Sequence, residues 1–214
     1  MRTDWVSPSA ATLVIGAFAL VLGTMLSPTD GAENANQALR VVNQNEGRML
    51  GMAVFYFLAS LGLMLGMPAV LSVVARRGWR LGVSGVMVFS VGVLGTAGFA
   101  MLLVFFRALV VNGSVTGTSV NQLTDDLGLV VFVYTWVIGF YAGLILIAAA
   151  LFLSRATPYW VPALLLVGVG FAPFAAMLGN LGSALQTLSL AVAFTGVAVS
   201  AVSLDQERRL QLAA

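Results

Sequence analysis

The sequence predicts an all-α fold, a polytopic membrane helical bundle of six transmembrane helices with both termini cytoplasmic. Three observations predict it. Of the 214 residues, 60% are hydrophobic and only 8% charged, where a soluble domain carries about 25% charged residues. The apolar residues gather into six runs, each long enough to cross a bilayer core that takes roughly 20 residues. No strand alternation runs through them, and a segment in lipid must satisfy its own backbone, so helices are the form that remains.

The runs are 11–26, 49–75, 81–111, 127–153, 160–178 and 185–204, read as a single transmembrane domain over 1–214. The first follows a single Arg2; its flank is barely basic and no small-residue cleavage site follows, so it reads as a retained helix rather than a signal peptide. The next three exceed the minimum length and should tilt or project beyond the membrane. Arginines set the orientation. Arg76, Arg77 and Arg80 occupy the second connection, Arg155 the fourth, and Arg208 and Arg209 the tail, whereas the third connection holds Asp125 and Asp126 without Lys or Arg. The positive-inside rule then puts both termini in the cytoplasm of a cell whose inner (plasma) membrane the chain crosses. Trp79, Tyr159 and Trp160 lie beside the basic turns as interfacial anchors.

The first connection, 27–48, is polar through Asn34, Asn36, Gln37, Asn43, Gln44 and Asn45. Its Leu39, Val41 and Val42 would let it lie across the outer mouth as a lid; a solvated loop is the other reading. A shift of 79 residues superposes Glu46 on Asp125, Phe55 on Tyr134, Phe57 on Trp136 and Arg76 on Arg155, a weak internal repeat that gives the second and fourth spans the same direction. Gly47/Gly51, Gly62/Gly66 and Gly139/Gly143 are small-xxx-small pairs that let helices approach closely. Pro68, Pro162 and Pro173 can kink their helices.

Composition also narrows chemistry. Cysteine and histidine are absent, so disulfides, thiolate chemistry and the usual zinc and haem ligand sets are excluded, and acid–base work falls to Asp, Glu, Arg or Tyr. No metal and no cofactor is expected. A net charge of +2 is too small and dispersed to argue for nucleic acid. The partners expected are membrane lipid and a lipophilic small molecule, with a second copy or a partner membrane protein left open.

Polar groups that hydrocarbon should reject mark function in a bundle. They lean to the outer side: Glu46 and Arg48 open the second span, Arg107 closes the third, Asp125 and Asp126 open the fourth, and Asn180 and Gln186 sit near the fifth-to-sixth turn. An Arg facing carboxylates is also a common structural staple, and acids suit helix N-termini. Eleven residues make about three turns, so Glu46 shares a face with Leu50, Ala53 and Phe57, and Asp125 with Leu129, Phe132 and Trp136. If these faces meet, they line a pocket with an acid at the rim and rings below, with Tyr56, Phe57, Tyr134, Trp136 and Tyr141 as its aromatic wall; the same rings could instead pack helices or meet lipid.

The stretch Asn45-Glu-Gly-Arg-Met-Leu-Gly51, continuing through Met67-Pro68 to Arg76-Arg-Gly-Trp-Arg-Leu-Gly82, resembles small actinobacterial multi-helix membrane proteins of mostly unassigned function. In size, aromatic helices and outer-edge acids the chain is also similar to membrane-bound terpene cyclases. That resemblance implies cofactor-independent cyclisation of a polyprenyl substrate, begun when a carboxylic acid protonates an olefin or epoxide. Glu46, Asp125 and Asp126 are then the candidate catalytic acids, and Arg48, Tyr56, Phe57, Arg107, Tyr134, Trp136 and Tyr141 the candidate substrate-binding residues. The alternative is a non-enzymatic accessory subunit or a small-molecule transporter.

Overall fold

The computed structural model describes residues 5–28, 34–75, 78–116, 120, 126–175 and 177–213. Among them every regular element is a helix: α1 (Val6–Met25), α2 (Ala35–Gln44), α3 (Glu46–Val74), α4 (Trp79–Val111), α5 (Leu127–Ser154), α6 (Trp160–Ala175) and α7 (Gly179–Ala213). Five of these, α1, α3, α4, α5 and α7, are long and apolar enough to cross a membrane; α6 is apolar but has 16 residues, about 24 Å at 1.5 Å per residue.

The boundaries depart from the apolar runs where polar residues can still be helical. The first helix starts at Val6 rather than 11, because Pro8 falls in its first turn, where a missing N–H costs nothing. The last reaches from Gly179 to Ala213, taking in the charged turn that Arg209 closes on Asp205 at 2.7 Å. The connection 27–48 contains a helix, α2, which the Asn34 side chain caps by accepting from the Gln37 N–H. Val42 on α2 is fully buried against Met49, Met52 and Leu103 of α3 and α4. The segment therefore packs on α3 and α4 at one end of the bundle.

Six helices close a ring in the order α1, α3, α4, α5, α6, α7, with α7 returning to α1. Neighbours run antiparallel: Thr24 near the end of α1 meets Thr187 near the start of α7, and Ser7 and Gln206 share a crevice at the opposite end. The end holding the start of α1 and the finish of α7 is called terminal below, and the other distal.

Glycine fixes two crossings. A Cβ on Gly62 would stand 2.5 Å from the Gly16 Cα, so α1 and α3 touch backbone to backbone; Gly92 and Gly143 likewise lie directly on Phe140 and Phe89 across the α4–α5 seam. Of the three glycine pairs singled out in the sequence, Gly62/Gly66 and Gly139/Gly143 sit in these seams, while Gly47 meets nothing. Between crossings the terminal half is solid, with Leu13, Leu63, Val70, Ile147, Leu165 and Phe194 essentially inaccessible.

Pro68 interrupts α3, and its consequence is repaired from α1. The Ser9 hydroxyl accepts from the Ala69 N–H at 3.0 Å and donates to the Leu65 carbonyl at 2.9 Å, standing in the gap between a helical donor and its usual acceptor four residues back. A hydroxyl inserted in the ladder beside a proline is a recognised way to re-satisfy a kinked helix in lipid. Ser9→Ala should therefore destabilise the detergent-solubilised protein by about 1–2 kcal/mol. With Pro68→Ala already present the loss should shrink, because α3 can close its own bond; equal losses in both backgrounds, measured by thermal unfolding, would contradict this role.

Candidate functional site

The distal half of the ring is hollow. A cavity of about 280 Å³ lies where α1, α3, α4, α5 and α7 converge, close to the lower end of volumes typical for small-molecule sites.

One wall is aromatic and follows from glycines on neighbouring helices. The Tyr56 ring of α3 lies on the bare face of Gly23 in α1, and Trp136 of α5 occupies the space a Cβ on Gly95 of α4 would fill. Phe99 joins them, edge-on to Tyr56 at 5.9 Å between centroids and stacked on Trp136 at 5.0 Å with 29° between planes. The indole N–H of Trp136 donates to the Thr96 hydroxyl at 3.2 Å, which itself donates to the Gly92 carbonyl. Trp136 is thereby fixed in place. Phe140, packed on Phe89 at 5.0 Å, also lines the cavity.

The facing wall is polar and uncharged. The hydroxyls of Thr24 and Thr187 lie 3.1 Å apart between α1 and α7, with Ser183 beside them. The Gln186 amide donates to the Tyr141 hydroxyl at 2.9 Å and to the Gly168 carbonyl of α6 at 3.1 Å. The helices α5 and α7 do not pack on one another; at this level that hydrogen bond joins them. Tyr141 accepts there, which leaves its own proton to donate. The Tyr56 hydroxyl makes no hydrogen bond among the described residues and is not sealed from the void.

Three of the sequence-derived site residues, Tyr56, Trp136 and Tyr141, meet in this cavity; the others do not. Phe57 and Tyr134 face outward, 43% and 63% exposed. The helical phase linking Glu46 to Phe57 holds, but that face of α3 looks into an outer crevice against Ala100, Met101 and Val104 of α4. The cavity is lined by the next residue, Tyr56, about 100° around the helix. The 79-residue correspondence fails at the same point: Phe57 points out and its counterpart Trp136 points in.

Glu46 accepts from Arg107 at 2.7 Å, tying the start of α3 to the end of α4. Both side chains are partly exposed, and the Val42, Met49, Met52 and Leu103 cluster lies on the path from them to Tyr56. Glu46 precedes Tyr56 by about 15 Å of helix. The pair thus takes the structural reading, a staple at the distal end. Arg48 is exposed. Asp126 is the N-cap of α5, its carboxylate accepting from the Leu129 N–H at 2.8 Å. Asp125 lies outside the described residues.

No carboxylate or guanidinium among the described residues lines the cavity, and no three metal-ligating side chains converge among them. Thr24, Thr96, Phe99, Phe140 and Thr187 complete the site without having been singled out from sequence. Gln186 was noticed as a polar residue near a turn. It stands two turns inside α7, because that helix begins six residues before the apolar run does, and an amide so far inside a span was the available signal. No family model matches this sequence, no curated protein matches it, and no solved structure matches it.

A staple and a buried acid respond differently to exchange. A double-mutant cycle on Glu46→Ala and Arg107→Ala should give a coupling of about 0.5–1 kcal/mol, the range for partly exposed ion pairs. Glu46→Arg combined with Arg107→Glu should recover much of the loss in thermal unfolding. No recovery in the exchanged variant would show that the contact is not what holds these helix ends.

Proposed function

We propose that this chain is a six-span plasma-membrane protein that binds a small neutral lipophile in its distal cavity, as an accessory or carrier protein and not as a catalyst. The observation that carries the reading is the cavity's division into a ring wall and a hydroxyl–amide wall with no charge among the described residues of either. An apolar body against Tyr56, Phe99 and Trp136 and a polar edge toward Thr24, Thr187 and Gln186 would satisfy both. Binding sites for small molecules commonly combine an apolar lining with a few convergent polar groups.

The antiparallel return of α7 onto α1 supports six passes, since it requires α6 to run in the same direction as α1. A short α6 can cross if the bilayer thins locally or its flanks contribute. Arg80, Arg155, Arg208 and Arg209 at the terminal end support cytoplasmic termini. Cysteine is absent, so single cysteines report topology cleanly. Ser114→Cys should label with a membrane-impermeant maleimide in intact cells, and Gln206→Cys only after permeabilisation; the reverse pattern would invert the orientation.

Acid-initiated cyclisation keeps one supporting feature, the ring wall, which could stabilise a cation. It wants a proton donor at the cavity, and Glu46 and Asp126 are both engaged elsewhere. Naphthalene is a suitable neutral probe. It should bind the purified protein saturably, and Ser183→Trp, which fills the void, should abolish binding with little change in melting temperature. Binding indifferent to Ser183→Trp would put the site elsewhere. Turnover of a farnesyl-bearing substrate that Glu46→Gln abolishes would restore the cyclase reading.

A further inference from the structure

Flatness, capacity and hydrogen-bond polarity together narrow the ligand. A cavity of about 150 Å³ takes one benzene ring, so 280 Å³ has room for about two fused rings. It has no room for a whole polyprenyl chain. Phe99 and Trp136, stacked on each other with 29° between their planes, both line the void, and an aromatic wall suits a planar conjugated molecule that can stack or pack edge-on against it. Toward the void the tyrosines offer donors: the Tyr56 hydroxyl has no partner among the described residues, and the Tyr141 oxygen already accepts from Gln186. Two O–H groups on different helices, in a compartment whose described lining carries no charge, call for carbonyl acceptors on the ligand. A cation is disfavoured, because no lining residue among those described supplies a countercharge.

Resting on the lipophile-binding reading, we infer that the cavity takes a quinone-type head group, a planar conjugated ring whose carbonyl oxygens accept from Tyr56 and Tyr141 while the ring packs against the aromatic wall that Phe99 and Trp136 supply. No electron transfer is part of the inference; the site holds the ring by hydrogen bonds and stacking.

The test compares menadione with naphthalene, which has the same two-ring outline and no carbonyl. Equilibrium binding of each to the purified full-length protein should favour menadione by about tenfold or more, the equivalent of one or two net hydrogen bonds. Tyr56→Phe should weaken menadione several-fold and leave naphthalene unchanged. Infrared spectra should show a carbonyl band of bound menadione shifted to lower frequency than in hexane, with the shift reduced in Tyr56→Phe; this readout does not depend on affinity. Equal binding of the two probes, insensitive to Tyr56→Phe, would overturn the quinone assignment and leave lipophile binding standing. Binding of neither probe would overturn both. Preferential binding of tetraethylammonium would replace the assignment with a cation site.

Discussion

Close approach of bare backbone is the constraint on which the rest of this bundle depends. Lipid tails are as apolar as leucine, so helices in a membrane gain little by burying hydrophobic side chains and must gain by packing density. The Gly16–Gly62 crossing and the Gly92 and Gly143 contacts supply it, bringing α1 onto α3 and α4 onto α5 with no side chain between. Nearer the distal end the same helix pairs carry rings on bare glycine faces, Tyr56 on Gly23 and Trp136 on Gly95. Those rings form one wall of the hollow, which lies on the distal side of both crossings.

The hydroxyls divide in a way that picks out the same region. Most return to their own helix: Thr12, Ser60, Ser72, Ser90, Thr135 and Thr195 each donate to a carbonyl three or four residues back. Such bonds hide a polar group in hydrocarbon and carry little further meaning. A few side chains reach another helix, Thr24, Thr96 and Thr187 while also returning to a carbonyl of their own. Ser9 repairs the ladder at Pro68, while Thr24 with Thr187, Trp136 with Thr96 and Gln186 with Tyr141 all border the cavity. Interhelical hydrogen bonds add roughly 1 kcal/mol each in membranes, so these three do more to align the cavity walls than to stabilise the fold.

The five long apolar helices and their approximate extent were legible in the sequence because hydropathy reports directly on burial in lipid, whereas α2, with little apolar surface, was not. Facing was harder. A span that is apolar all round has almost no amphipathic signal, so nothing in the runs themselves distinguishes Tyr56, which lines the void, from Phe57, which meets an outer crevice. Charge at helix ends drew attention to Glu46 and Arg107, yet a pair at an interface is inexpensive and serves as a tie. The more telling residues were neutral: Gln186, Thr24 and Thr187, inside spans but without the cost that makes a charge conspicuous. Seams were half-visible, since Gly62 and Gly143 could be read as small-xxx-small positions, whereas their partners Gly16 and Phe89 depend on which helices become neighbours.

The charge distribution also limits what the cavity can hold. A charged ligand would bring its own desolvation penalty into a space whose walls offer dipoles and ring faces but no opposite charge, and an unpaired charge in a low-dielectric interior costs several kcal/mol after relaxation. The chain has the means to supply a countercharge, since Glu46 and Arg107 stand on two of the helices that line the void. It holds them at the distal end instead, bound to each other, with a methionine-rich cluster intervening. With neither sign among the described lining residues, recognition there rests on hydrogen-bond direction and ring shape, and those terms discriminate among neutral molecules of similar size far better than among ions.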